Sequence, residues 1–348
     1  GCRRVCYERE WDGTMDLIEK LAERARERKM RVAMPEATDE RTLRAARKAV
    51  DTGVALPLLV GDEKQIRAAA QKIGVPIHDI AIVDPFHHPS LERFHEEYAQ
   101  LRRKENLTPE QIRDVFKHLA YFSVMMARFG LCDAVTMGAV YTTADVMRAA
   151  IKVGGVAEGV KTVSASVLIT GLNPKFGETG AMLMADPAVV IDPDAGQLAD
   201  IAIATADTAI DIFGFEPRIA MLSFSTKGSA KHPLQQKVVD ATETVKARRP
   251  ELLIDGELQS DAALDAAIGR SKAPGSPVCG RPNILIYPDI GSANIGHKLL
   301  RVMCGADVFG PILQGLAIPC SDMSRGANAH DVYVNIILTA LKARRRTL

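Results

Sequence analysis

Residues 31–74 read RVAMPEATDERTLRAARKAVDTGVALPLLVGDEKQIRAAAQKIG, and their rhythm decides the fold. Arg31 to Pro35 is a short apolar run closed by a proline, which predicts a strand. Asp39 then serves as N-cap for a helix running to Val50. Leu56 to Val60 is a second strand, stopped by Gly61-Asp62. Glu63 to Ile73 is a second helix, stopped by Gly74. The strands are apolar throughout and do not alternate with polar residues. Both of their faces must therefore be covered, as in a parallel sheet with helices on each side.

The same rhythm continues outward. Upstream, 15–29 is an amphipathic helix with Leu17, Ile18, Leu21 and Ala22 on one face. Residues 1–14 are set apart as an extension, native or added. Downstream, strands are expected at 80–83, 134–137, 163–169, 181–185, 219–224, 284–287 and near 316–319. Helices are expected at 90–104, 108–129, 143–153, 196–213, 234–248, 260–268, 293–303 and 329–344. The Gly/Pro cluster 272–282 is a long loop. A chain of 348 residues suggests two domains, or one large α/β unit with additions.

Composition narrows the function. Lys and Arg number 44 against 43 Asp and Glu, a net charge of +1. Such balance gives no global attraction to nucleic acid or an anionic membrane, so a polyanionic small ligand would need local Arg and Lys. No apolar stretch approaches the roughly 20 residues that cross a bilayer. The six cysteines are scattered and include no CxxC pair, which reads as reduced thiols and a cytoplasmic location.

In an open parallel sheet, ligands bind beyond the carboxyl ends of the strands. Four polar loops fall there. One is 138–145, where Thr142 and Thr143 open a helix that carries Arg148. Another is 223–229, where Ser225, Thr226 and Lys227 could wrap an anion with hydroxyls and backbone N–H groups. A third is 288–296, which includes Asn294. The fourth, Ser324-Arg325-Gly326-Ala327-Asn328-Ala329-His330-Asp331, unites a hydroxyl, a permanent cation and a carboxylate. Ser324 and Arg325 can hold an oxyanion, and Asp331 can take a proton. Read by itself, Asn328-x-x-Asp331 is a helix cap, and Arg148 and Arg102 are solvated surface cations. Ser-Arg-Gly ahead of a cap is what favours chemistry, since a helix N-terminus also welcomes an anion.

Other motifs fail. Gly154-x-x-x-x-Gly159 has Val160 where a phosphate-binding loop needs Lys, with Lys161-Thr162 one position late. No GxGxxG follows a strand, and no GxSxG is present. His87, His88 and His95 lack a helical i,i+4 ligand pair, so no metal is expected.

Taken together, these loops resemble the phosphate acetyltransferase (phosphotransacetylase) family, which includes phosphate butyryltransferases. The matching pieces are PEATDERTL at 35–43, LRRK at 101–104, GAVYTTADVMR at 138–148, VKTVSAS at 160–166 and QLADIAI at 197–203. They continue with EPRIAMLSFSTKGSA at 216–230, DGELQSDAAL at 255–264, KAPGSPV at 272–278, ANIGHKL at 293–299, GPILQGL at 310–316 and SRGANAHD at 324–331. The resemblance implies an α/β fold of two three-layer α/β/α domains with mainly parallel sheets and a cleft between them. Residues 15–157 with 311–348 would form the first domain and 158–310 the second.

It further implies reversible transfer of acetyl between CoA and phosphate in a cytoplasmic homodimer. Asp331 would deprotonate the CoA thiol for direct attack, Ser324 would hold the oxyanion and Arg325 the phosphate. Arg148 and Arg102 match arginines implicated in phosphate and CoA binding. CoA and acetyl-CoA enter as substrates, and no cofactor is implied. The chain departs from the family pattern at Tyr141, where His is usual, at Ala327 and His330, and near 188–191, where a usual Asn is absent. Propionyl or butyryl transfer therefore remains open, as does a non-catalytic acyl-CoA-sensing domain.

Overall fold

The computed structural model describes residues 12–346. Most of the extension read at 1–14 thus lies outside the described residues, while Asp12 to Thr14 open the first helix, Asp12–Arg26. Eleven strands follow in chain order: β1 Met30–Met34, β2 Ala55–Val60, β3 Ala81–Val83, β4 Ala134–Thr136, β5 Ser164–Thr170, β6 Met182–Ala185, β7 Arg218–Leu222, β8 Leu253–Leu258, β9 Ile284–Ile286, β10 Asp307–Gln314 and β11 Cys320–Ser321. Helices connect most of them, which makes the chain α/β. The hydrogen-bonded order is β3-β2-β1-β4-β11-β10-β5-β6-β9-β7-β8. The strands on the two sides of β10 are therefore not separate sheets.

Pairing is parallel except around β10 and β5, where β10–β11, β10–β5 and β5–β6 run antiparallel. The β10 strand joins the two halves of the order. Its register shifts between Phe309 and Ile312, on either side of Gly310-Pro311. That Gly-Pro breaker is why the sequence alone gave no strand there, and the run expected near 316–319 lies just before β11. The other unexpected strand, β8, carries Asp255 and Glu257, both buried. Charged residues hide a strand from apolar-run reading until their partners are known.

Alternation along the strands sorts the core. Val32, Ala134, Leu59, Leu168, Leu183, Ile219 and Ile284 belong to one apolar cluster that spans both halves of the sheet. Their neighbours Ala33, Val135 and Val60 join a second cluster on the opposite face, and Val167, Met184 and Ala220 a third. The helix Ala329–Arg346 packs in the shared cluster with Val332, Ile336 and Ala340. Its N-terminus is thereby set beside the carboxyl edge of the first-half strands.

A buried polar bridge ties β10 to the helix Ala195–Thr208. The Gln314 amide donates to Ser166 Oγ and Thr208 Oγ1, each at 2.9 Å, and its oxygen accepts from Ser164 Oγ at 2.9 Å. Removing it leaves buried hydroxyls without their partner. Gln314→Leu is expected to lower unfolding free energy in urea by about 2–4 kcal/mol; a change under about 0.5 kcal/mol would show that these hydroxyls find other partners.

Candidate functional site

Three neighbouring parallel strands, β1, β4 and β11, end on the same edge and deliver three loops: 35–39, 137–142 and 322–328. The first supplies Glu36, which is 6% exposed. Its carboxylate accepts from the backbone N–H groups of Gly138, Ala139, Val140 and Tyr141 at 2.7–3.1 Å. A buried carboxylate is tolerable only with such partners. The loop 138–141 is thus closed around an internal anion, and its N–H groups are not available to a ligand.

The helix that follows this loop, Glu40–Thr52, supplies Arg41 in its first turn. Its guanidinium donates to the Asp39 carboxylate, to the Ala139 carbonyl at 2.7 Å, and to the carbonyls of Arg325 and Ala327 at 2.7 and 2.9 Å. One cation therefore pins all three loops together. Burial alone would raise the Asp39 carboxyl, but the Arg41 hydrogen bonds more than offset it and hold it below the usual range.

Clamped in this way, the Ser324–Asp331 segment turns Ala327 inward and presents Ser324 and Arg325 outward. Ser324 and Arg325 are exposed. The Ser324 Oγ accepts from the Gly326 N–H at 3.2 Å, leaving its own proton free. The Arg325 guanidinium has no hydrogen-bond or ion-pair partner among the described residues. Asn328 and Asp331 do form a cap: the Asn328 Oδ1 accepts from the His330 and Asp331 N–H groups, and Asp331 Oδ2 accepts from the Asn328 N–H at 3.0 Å. Arg301, on the helix Ile290–Met303, reaches from the second half of the chain to within 3.9 Å of Asp331 Oδ2.

Thr142 caps the helix Thr143–Ala149 in a reciprocal box with Asp145, and Thr143 lies beside Asp322. Arg148 pairs with Asp145, and Arg102 with Glu105. Both arginines act on the Tyr121 phenol, so they face the same region. The Thr142 hydroxyl, more than Arg148, holds the Asp145 carboxyl down.

Other expected residues lie apart. Ser225 bonds Glu257, Thr226 exchanges hydrogen bonds with Gln259, and Lys227 pairs with Asp255 and donates to the Gly256 carbonyl. Four strands separate β7 from β11, roughly 24 Å at normal strand spacing. Asn294 donates to the Pro187 carbonyl at 3.1 Å. A cavity of about 550 Å³ lined by Lys161, Asp200, Arg248, Gln314 and Lys342 contains none of the candidate residues. Among the described residues, no group of three or more His, Cys, Asp or Glu could hold a metal, and no helix is long and apolar enough to cross a membrane.

Four residues of this region escaped sequence reading: Glu36, Arg41, Asp322 and Arg301. Glu36 and Arg41 had a signal, since both fall in the PEATDERTL run that follows β1. Arg301 had a weaker one, two turns beyond Asn294 on one helix. Asp322 had none beyond its place before Ser324. It is fully buried, and burial pushes its carboxyl up to about 6.

The site is thus an anion-competent edge on an α/β scaffold, with a free guanidinium, a free hydroxyl proton and a carboxylate on one short segment. The chain belongs to the phosphate acetyl/butyryl transferase family, whose model, described as "Phosphate acetyl/butaryl transferase", matches residues 16–340. The chain is 41% identical to the phosphate acetyltransferase of Thermoanaerobacterium thermosaccharolyticum over 330 residues, 95% of this chain and 100% of that one. It is 40% identical to the phosphate acetyltransferase of Clostridium acetobutylicum over 331 residues, covering 95% and 99%. Among solved structures, a phosphotransacetylase from Streptococcus pyogenes superposes with a TM-score of 0.89 at 37% identity, covering 95% and 99%.

The raised Asp322 carboxyl has a consequence for stability. The native state binds this proton more tightly than the unfolded chain, so stability falls as pH rises from about 4 to about 6. Asp322→Asn is therefore expected to be more stable than wild type at pH 8, by up to ~3 kcal/mol, with the difference closing toward pH 4. Equal urea midpoints at both pH values would refute it. Glu36→Ala, which orphans four N–H groups, is expected to cost about 3 kcal/mol or more by the same assay; near-wild-type stability would show that the 138–141 loop does not depend on this carboxylate.

Proposed function

We propose that this protein is a phosphate acetyltransferase, an acyltransferase that interconverts acetyl-CoA plus phosphate with acetyl phosphate plus CoA. The observation that carries the reading is the unpartnered Arg325 guanidinium beside the free Ser324 hydroxyl, on the loop that ends at Asp331. A CoA thiol is mostly protonated at neutral pH, because thiol pKa values lie near 8.5. Asp331 accepts that proton, and the thiolate sulfur attacks the acetyl carbonyl of acetyl phosphate. The Ser324 O–H donates to the developing oxyanion. As the tetrahedral adduct collapses, the new C–S bond is kept, the bond from the acyl carbon to the bridging oxygen breaks, and that oxygen leaves with phosphate toward Arg325. Arg148 and Arg102 supply further positive charge for phosphate and CoA once they exchange their Asp145 and Glu105 partners. Thr142 and Thr143 supply hydroxyls to the same anion. Asn294 lies on the helix that carries Arg301, and Ser225, Thr226 and Lys227 would serve an elongated ligand such as CoA only by leaving their inward partners. This chemistry asks for no metal or cofactor.

The helix Ile290–Met303 carries an exposed apolar stripe of Ile295, Leu299, Val302 and Met303, the last two 82% and 77% exposed. We take this stripe as the surface that a homodimer buries. Cys132, Cys279 and Cys304 form no disulfide, which fits a reducing cytoplasm.

Phosphate-dependent release of the CoA thiol from acetyl-CoA, and consumption of that thiol with acetyl phosphate in the reverse direction, test the activity. Asp331→Asn is expected to lower kcat about tenfold or more with little change in KM, as loss of a general base does; unchanged kcat removes Asp331 from the mechanism. Arg325→Lys is expected to raise the KM for phosphate about tenfold, because a point charge cannot reproduce a planar fork. Val302→Lys is expected to halve the solution mass measured by light scattering, and an unchanged mass places any interface elsewhere.

A further inference from the structure

The cavity of about 550 Å³ has no part in the chemistry proposed above. It lies at the opposite edge of the sheet from Ser324 and Asp331. β10 runs against both β5 and β11, so its last residue, Gln314, stands at the edge where β4 and β11 begin. One wall is fastened by backbone pairing. The Ala157 N–H donates to the Gly315 carbonyl at 2.9 Å, and the Ala317 N–H to the Gly155 carbonyl at 3.0 Å. Gly315 has φ +79°, and a Cβ on it would lie 2.8 Å from Val160 Cγ1, so the two segments touch. The glycine-spaced run at 154–162, which lacks the lysine placement of a phosphate-binding loop, thus serves as part of this wall.

Most polar groups that line the cavity answer one another. Asp200 accepts from the Thr162 hydroxyl and from Arg248, each at 2.7 Å, and Asp207 accepts from Arg249 at 3.0 Å. The Gln314 amide is spent on Ser164, Ser166 and Thr208. Lys342 is different. It enters from the last turns of the helix Ala329–Arg346, and its ammonium donates to the Leu313 carbonyl. Among the described residues it has no carboxylate partner, and the one titratable group that acts on it is the Cys320 thiol. Burial accordingly pulls it down to about 8. An ammonium carries three protons that can be donated, and this one uses a single proton on a carbonyl. Ile203, Ile212, Leu316, Pro319 and Leu341 make the rest of the wall largely apolar. The helix Ala195–Thr208 runs on into the π-helical turn Ala209–Phe213, which supplies Ile212, and such turns often accompany functional sites.

A cation withdrawn from water is costly until a counter-anion meets it. We propose that this cavity binds a small organic acid, with its carboxylate on Lys342 and a short apolar body against Ile203, Ile212 and Leu316. The charges favour a carboxylate over a phosphate. The two protons left on one ammonium match the two oxygens of a single carboxylate. A phosphate dianion would carry a second charge past Asp200, Asp207 and Asp211, which share the lining. The volume falls within the range of small-molecule sites, about 300–1,000 Å³. Lys342 stands three turns beyond Asp331 on the same helix, about 16 Å along its axis. The cavity shares no residue with the 324–331 segment, so this inference stands or falls independently of the acyltransferase reading.

Benzoate and 3-methylbutanoate are the probes, titrated calorimetrically into the full chain at neutral pH, with benzamide as the uncharged analogue of benzoate. At least one acid is expected to bind with a Kd of about 1 mM or below, and benzamide about tenfold more weakly than benzoate or worse. Lys342→Met keeps an unbranched side chain and removes the charge, and it should weaken the acids about tenfold or more. Ala204→Phe leaves Lys342 in place and fills the cavity, since Ala204 is part of its lining; it should weaken the acids and benzamide alike. This second variant, with the benzamide comparison, carries the test if Lys342→Met fails to fold. The proposal is overturned if neither acid binds wild type at about 10 mM, or if benzamide binds as tightly as benzoate. Acid binding that persists unweakened in Lys342→Met or in Ala204→Phe overturns it as well, because the acids then sit elsewhere.

Discussion

The site depends on the burial of one carboxylate. Glu36 sits at the end of β1 and gathers four consecutive backbone N–H groups of the 138–141 loop. Each hydrogen bond to a charged group contributes about 1.5–3 kcal/mol, and together they offset the cost of taking a carboxylate out of water. The loop that results ends at Thr142, whose box with Asp145 starts the helix carrying Arg148. Arg41 then fastens the 325–327 carbonyls to that loop. Neither residue needs to touch a substrate, yet both fix where the reactive side chains stand.

The same device recurs. Glu257 accepts from the Gly228 N–H and the Ser225 hydroxyl, and Asp186 accepts from the N–H groups of Ala188, Val189 and Val190. Loops at strand ends that look ready for a ligand's anion are thus filled by the protein's own. This gives a criterion for telling a structural anion nest from a functional one. In the 324–331 loop the backbone donors serve a local cap, while the guanidinium and hydroxyl face outward without a charged partner.

The α/β class and most strand positions were legible because buried parallel strands are apolar runs, and local pattern suffices to see them. The 324–331 octet was legible as a candidate because its side chains lie within one short segment. What stayed hidden is what needs a partner distant in sequence. β8 could not be read from LIDGEL, because Asp255 becomes tolerable in a strand only when Lys227 arrives. β10 could not be read through Gly310-Pro311. The 138–145 and 223–229 loops both looked like anion cradles by composition, since Gly, Thr and Ser supply donors without revealing that Glu36 and Glu257 occupy them. Arg301 reaches Asp331 from a different helix, so no local pattern ties the two.

Asp331 shows how a capping carboxylate can keep an oxygen free for a proton. A cap uses a single carboxylate oxygen, and here the Asn328 N–H and the Arg301 guanidinium both approach Oδ2. Oδ1 keeps its lone pairs, so a proton can arrive there without breaking the cap. The Arg301 contact adds direction as well as charge, since it approaches from the other half of the chain and holds the Oδ2 side. The residue that looked most like ordinary helix punctuation is therefore geometrically suited to proton transfer because of that punctuation: the cap fixes the carboxylate plane, and with it the direction from which any proton donor would reach Oδ1. A longer Glu at this position would keep the charge and lose that plane, which separates the role of geometry from the role of charge.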